Sequence, residues 1–191
     1  ADRPVRLAVY DDASDPETGA QIAERIAASD ALLVLGHLLS GVSLQAGLVY
    51  RAAGIPAITG SAAADAITAG NHFYFRMIPA LGTQGMLIAA YVRDALKIGR
   101  TTIIYSDDTY GRTLAQSFAG EYKAGGVIPH LFTYAGKAKD AIQQRWDIIT
   151  RLAASPNAFV LASRFTARAH RLLRDAPARF EVVHMPPLGA D

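Results

Sequence analysis

Cysteine is absent from all 191 residues, which excludes disulfides, thiolate metal sites and cysteine nucleophiles. Long apolar runs are missing too. The hydrophobic fraction is 51%, ample for a buried core, yet no run reaches membrane-spanning length without a charge or a loop signal. There is little excess of either charge: 19 Lys and Arg against 17 Asp and Glu leave a formal net charge of +2, too weak a balance to argue for nucleic acid. The five histidines (His37, His72, His130, His170 and His184) include no pair at ligand spacing on one helix face, which argues against a metal site. The first residues carry no signal-peptide pattern, as a mature exported chain would also show.

What is present is organised around residues 36–43, running from Gly36 and His37 through Ser40, Gly41 and Val42 to Ser43. The apolar run 31–35 before it reads as a buried strand, and 44–53 after it as a helix ended by Gly54. A strand, a small polar loop and a helix N-terminus together make an anion site. The first helical N–H groups have no intrahelical acceptor, and the dipole favours negative charge there. Ser40 and Ser43 can add hydroxyl donors, so the loop suits a carboxylate or a phosphate. The same residues also fit an ordinary strand-to-helix turn with serines capping the helix. Gly36, Gly41 and Ser43 nearly spell the phosphate loop G-x-x-x-x-G-K-[ST], but Val42 stands at the lysine position, which excludes a nucleotide.

In chain order, 5–10 is expected as a first strand and 11–14 as a turn. Asp15 caps a helix with Pro16 at its first position and Glu17 in its first turn, and Ile22, Ala23, Ile26 and Ala27 form its apolar face. Strands follow at 54–59 and 73–78, separated by the small-residue loop 60–65. Pro79 marks a crossover between two lobes, 1–78 and 79–191. The second half repeats the rhythm. Helices are expected at 84–98, 112–124, 140–153 and 167–175, and strands at 101–105, 127–134, 158–162 and 180–184. Alternating strands and helices with continuous apolar strands argue an α/β fold with open parallel sheets. Ligands in such sheets sit at the carboxyl ends of the strands, which makes 36–43, 60–65, 106–111 and 163–166 candidate rims of one cleft.

Other constellations weigh less. Asp11 and Asp12 at a strand end resemble a phosphoacceptor pocket, but the next strand ends in Gly36 and His37 instead of an acceptor Asp, so turn chemistry is the better reading. Ser40 has no His and Asp partners in a nucleophile elbow, so no catalytic residue is assigned. Arg164, Arg168, Arg171 and Arg174 share a helical face, more commonly a solvated face than a nucleic-acid surface.

Residues 10–18, 36–43, 53–58, 73–76 and 104–111 together resemble, in order and spacing, the type I periplasmic binding proteins of the branched-chain amino-acid receptor group. The resemblance runs from about Val5 to Phe180. It implies two Rossmann-like lobes with parallel sheets and a ligand cleft between them, no cofactor, and no enzymatic activity. It implies that Ser40, Gly41, Val42 and Ser43 hold a ligand carboxylate, that Ser61, Ala62 and Ala63 face an ammonium, and that Tyr110 and Phe165 close from the second lobe. Ala63 stands where such proteins usually have Thr or Ser, and Phe165 where they have Tyr. No acidic residue near 186–188 matches their ammonium partner. Those departures favour a hydrophobic or aromatic carboxylate, with a branched-chain or aromatic amino acid close behind. The resemblance further implies that the first lobe is incomplete, lacking a strand and helix before Val5 and a return after Asp191. It points to a periplasmic protein handing its ligand to an ABC permease, with no nucleic-acid partner. The alternative on the same fold is the ligand-sensing domain of a signalling receptor or amide-type regulator.

Overall fold

The computed structural model describes residues 5–98, 101–124, 130–134, 159–163 and 182–185. It divides into two compact units. The first comprises the residues up to Ala62 together with Ala66–Met77, and the second Ala63–Asp65 together with the residues from Ile78 onward.

The first unit begins with α1, Pro16–Ala27. Asp15 sits in extended conformation and its carboxylate accepts the Thr18 N–H at 3.0 Å, with Pro16 opening the helix, as the local sequence dictates. Next come β1 (Val34–Leu35), α2 (Ser40–Ala53), β2 (Ala57–Thr59) and β3 (Tyr74–Arg76). The three strands form a parallel sheet in the order β1-β2-β3, with Val34 beside Ala57 and Ala57 beside Tyr74. Gly54 ends α2 at φ 69°, a left-handed cap that a side chain would strain. Ile22, Ala23 and Ile26 of α1 are buried, as are Val42, Ala46 and Tyr50 of α2, and the two helices pack on each other.

Residues 5–10 correct the expected first strand. They are exposed, with Val5 at 96% and Val9 at 85%, and they pair with no described strand. An extended segment becomes a strand only when a neighbour takes its backbone N–H and C=O groups. The next strand is likewise shorter than 31–35, reduced to Val34–Leu35 at the edge of its sheet.

In the second unit, α3 (Leu81–Ala90) runs into a single π turn, Tyr91–Ala95. The helix starts earlier than the expected 84, because the Asp65 carboxylate accepts the Gly82 N–H at 2.8 Å and caps it from outside. Then come β4 (Thr101–Ser106), α4 (Thr109–Ala124), β5 (His130–Tyr134), β6 (Phe159–Ser163) and β7 (Val182–Met185). The sheet is parallel in the order β5-β4-β6-β7, the α/β arrangement that continuous apolar strands predict. Asp108 accepts the Gly111 N–H at 2.8 Å, so α4 also starts before the expected 112. The core gathers Ala89, Val92, Ile103, Ala115, Phe118 and Tyr122, with the last two rings stacked at 5.2 Å. The helices expected at 140–153 and 167–175, including the arginine face, lie outside the described residues.

Candidate functional site

The turn 36–39 connects β1 to α2, and the helix begins four residues earlier than expected. Ser40, Gly41, Val42 and Ser43 are therefore its first turn, closed by Ser43 N–H donating to the Leu39 carbonyl at 2.9 Å. Nothing in this Ser-Gly-Val-Ser run breaks a helix. Leu39 stands at the N-cap in extended conformation and supplies no side-chain cap, and the first turn carries no acidic residue. By contrast, α1 is capped by Asp15 and carries Glu17 in its first turn. The start of α2 thus carries neither a side-chain cap from its N-cap residue nor an acidic residue to offset the positive end of its dipole.

Beneath that start lies a polar network. Tyr74 Oη donates to the Gly36 carbonyl at 2.8 Å and accepts the His37 N–H at 3.0 Å. The His37 carbonyl accepts from Thr59 Oγ1 at 2.8 Å and from Ser43 Oγ at 3.2 Å, and the Leu38 carbonyl from Ser61 Oγ at 2.7 Å. The His37 ring is buried, with Nδ1 2.7 Å from Asp12 Oδ2 and Nε2 2.9 Å from Tyr50 Oη. The His37 and Tyr50 rings stack with centroids 6.0 Å apart. Burial raises the Tyr50 phenol well above its ordinary value, with Tyr74 and Asp12 adding to the effect. Burial also raises the Tyr74 phenol, against the pull of its Ser43 and His37 hydrogen bonds. Both tyrosines therefore remain O–H donors.

The structure brings Ser40, Gly41, Val42, Ser43, Ser61 and Ala62 together in the first unit, because Thr59 and Ser61 tie the end of β2 to the turn. Ser40 is 3% exposed and Ser43 fully buried. The Ser43 and Ser61 hydroxyls donate to main-chain carbonyls, while the Ala62 N–H donates to Thr59 Oγ1 at 3.0 Å. Ala63 belongs to the second unit, where its carbonyl accepts the Leu81 N–H at 2.9 Å. Tyr110 is half-buried in the first turn of α4. Phe165 lies outside the described residues. Among the described residues, no group of three or more His, Cys, Asp or Glu could hold a metal ion, and no helix is long and apolar enough to cross a membrane.

Sequence reasoning missed Asp12, His37, Tyr50, Thr59 and Tyr74. Asp11 and Asp12 do perform the expected turn chemistry, accepting the Ala13 and Ser14 N–H groups, but the second Asp12 oxygen holds His37. One signal was available: Ser43, Ala46, Gly47 and Tyr50 recur at helical spacing on the buried face of α2, and a phenol there needs a polar partner.

The sequence model described as periplasmic binding protein matches residues 1–178. An amino acid binding protein of Pseudomonas aeruginosa is 34% identical over 130 residues, covering 67% of this chain and 35% of that protein. The Leu/Ile/Val/Thr-binding protein of Salmonella typhimurium is 34% identical over 119 residues, covering 62% of this chain and 33% of that protein. A solute binding protein of an ABC transporter from Rhodopseudomonas palustris, solved in complex with 3,4-dihydroxy benzoic acid, superposes with a TM-score of 0.78. It shares 17% identity and the match covers 94% of this chain and 50% of that one. The chain thus spans about a third of the length of the two relatives and half that of the solved neighbour.

Proposed function

The chain belongs to the periplasmic binding protein family, and from that premise we propose that it is part of an extracytoplasmic solute-binding protein of an ABC-type uptake system. In this reading the protein works in the periplasm and delivers its solute to a membrane permease. The solute is a small hydrophobic or aromatic carboxylate, or a branched-chain or aromatic amino acid.

The observation that carries the reading is the start of α2. An apolar N-cap, no acidic residue in the first turn and a turn whose carbonyls at Gly36, His37 and Leu38 are bonded elsewhere leave a donor-rich, positively biased rim at a strand end. A carboxylate is the anion that suits it, since no lysine accompanies the loop to meet a larger phosphate group. The names of the two amino-acid-binding relatives support the same class.

The ammonium side is weaker. Ala62 and Ala63 offer no side-chain donor or acceptor, and the Ala63 carbonyl already serves Leu81. A buried ammonium short of partners is penalised more than a neutral hydrogen bond gains. A hydrophobic carboxylate therefore comes first among the proposed ligands, with Tyr110 and Phe165 as apolar walls contributed by lobe 79–191 on closure over the ligand.

Paired titrations of the complete protein with phenylalanine and phenylpropionate, and with leucine and 4-methylpentanoate, test this. Binding of both members of a pair within about a hundred-fold, or roughly 2.7 kcal/mol, is expected. A larger preference for the amino acid reveals an ammonium partner and overturns the carboxylate preference. Binding of none of the four overturns the ligand class.

A further inference from the structure

We infer that His37 is a positioning residue for the donor turn: held between the Asp12 carboxylate and the Tyr50 hydroxyl, its ring orients residues 36–39 and so aims the N–H groups at the start of α2. The inference rests on the solute-binding reading of that turn.

The chemistry of the three groups gives the relay a direction. An ionised carboxylate only accepts, so Nδ1 carries the proton and donates to Asp12 at 2.7 Å. In the neutral ring Nε2 is then a lone-pair acceptor and takes the Tyr50 O–H at 2.9 Å. Imidazole is the side chain that offers a donor on one edge and an acceptor on the other at this span. Asparagine at 37 would reach toward Asp12 but not Tyr50, and glutamine would place its head near the Nε2 position.

The ring adds connections to those of the turn's main chain. The bonds to Gly36, His37 and Leu38 tie the turn to β2, β3, the loop after β2 and the first turn of α2. Its ring ties the turn to Asp12, before α1, and to the interior of α2, where Tyr50 is fully buried. The titratable groups facing the ring are Asp12 from the turn before α1 and Tyr50 from α2. Tyr74 from β3 bonds the main chain of the turn instead. Removing the Tyr50 hydroxyl leaves the Nε2 lone pair without its donor at a buried position, so the ring and the turn lose one of their anchors.

The test uses the complete protein with leucine and phenylpropionate as probes, in wild type, Tyr50→Phe, His37→Gln and, as a milder variant, Asp12→Asn. Tyr50→Phe removes one atom beneath the turn. It is expected to weaken probe binding about tenfold and to speed amide hydrogen exchange at 37–43 relative to the α4 amides. Imidazole ¹⁵N spectra of wild type should show His37 protonated at Nδ1 and unprotonated at Nε2. His37→Gln, which bridges only one partner, should resemble Tyr50→Phe. Three results overturn the inference: variants that melt earlier yet bind the probes within twofold of wild type, unchanged relative exchange at 37–43, or a proton on Nε2 alone. If Tyr50→Phe does not fold, Asp12→Asn decides by the same readouts. If wild type binds neither probe, the solute-binding reading fails by itself, and exchange at 37–43 alone supports or overturns the positioning role.

Discussion

Ser40 and Ser43 share one turn of helix and face different tasks. Ser43 is fully buried, and its hydroxyl donates to the His37 carbonyl, which Thr59 also serves. Ser43→Ala is expected to lower stability by about 0.5–1.5 kcal/mol and to change probe affinity little. Ser40 is proposed to meet the ligand carboxylate, and a hydrogen bond to a charged group is worth roughly 1.5–3 kcal/mol, so Ser40→Ala should weaken binding about ten- to a hundred-fold. Calorimetric titration and thermal melting of both variants separate the roles, and equal losses of affinity would erase the distinction. Asp15 was legible from its neighbours, because a cap acts within three residues: its carboxylate takes the Thr18 N–H. His37 was not legible, because its partners lie 25 and 13 residues away and nothing local distinguishes a buried relay from a stray histidine.

Helices α3 and α4 approach closely at Gly85, where an added Cβ would lie 2.6 Å from Ser117 Cβ and 2.8 Å from the Phe118 nitrogen. Gly85→Ala should therefore destabilise by about 1–3 kcal/mol despite its better helix propensity. At Gly120 of α4 an added Cβ meets nothing within 4 Å, so Gly120→Ala should stabilise by up to about 1 kcal/mol. Chemical denaturation of the two variants reads opposite signs, and the same sign for both would contradict the close crossing. The outer edge of β1 is a second matter of element-level packing. Residues 5–12 and 30–37 are linked at both ends, by Arg6 to Asp30 at 3.0 Å and by His37 to Asp12 at 2.7 Å, yet no backbone ladder joins them. Leu7, Leu32 and Leu35 stay 77%, 87% and 71% exposed. Such an edge recruits a strand. The amides of Leu7 and Leu35 are expected to exchange rapidly in this chain alone and to become protected in a longer chain that supplies an apolar parallel strand. Equal exchange in both would show the edge to be stably open.

For the whole molecule, the proposed division at 78/79 and closure on ligand predict that saturating ligand reduces the radius of gyration of the complete protein in solution scattering, because a ligand contacting both lobes favours the closed state. Identical profiles would sink the closure. The sequence by itself determined the alternation of strands and helices, the parallel sheets, the Asp15 cap, the Gly54 stop and the strand-end location of residues 36–43. All of these follow from interactions within a turn or two of chain, or from the apolar period of single elements. Tertiary structure alone decided that Asp65 caps α3 at Gly82 and that residues 5–10 pair with no described strand. It also decided that Asp12, His37 and Tyr50 meet under the turn. The physical reason is separation along the chain. Partners 13 to 38 residues apart, from His37 and Tyr50 to Gly36 and Tyr74, meet only once helices have packed on a sheet, and buried polar groups must then find whatever donor or acceptor that packing delivers.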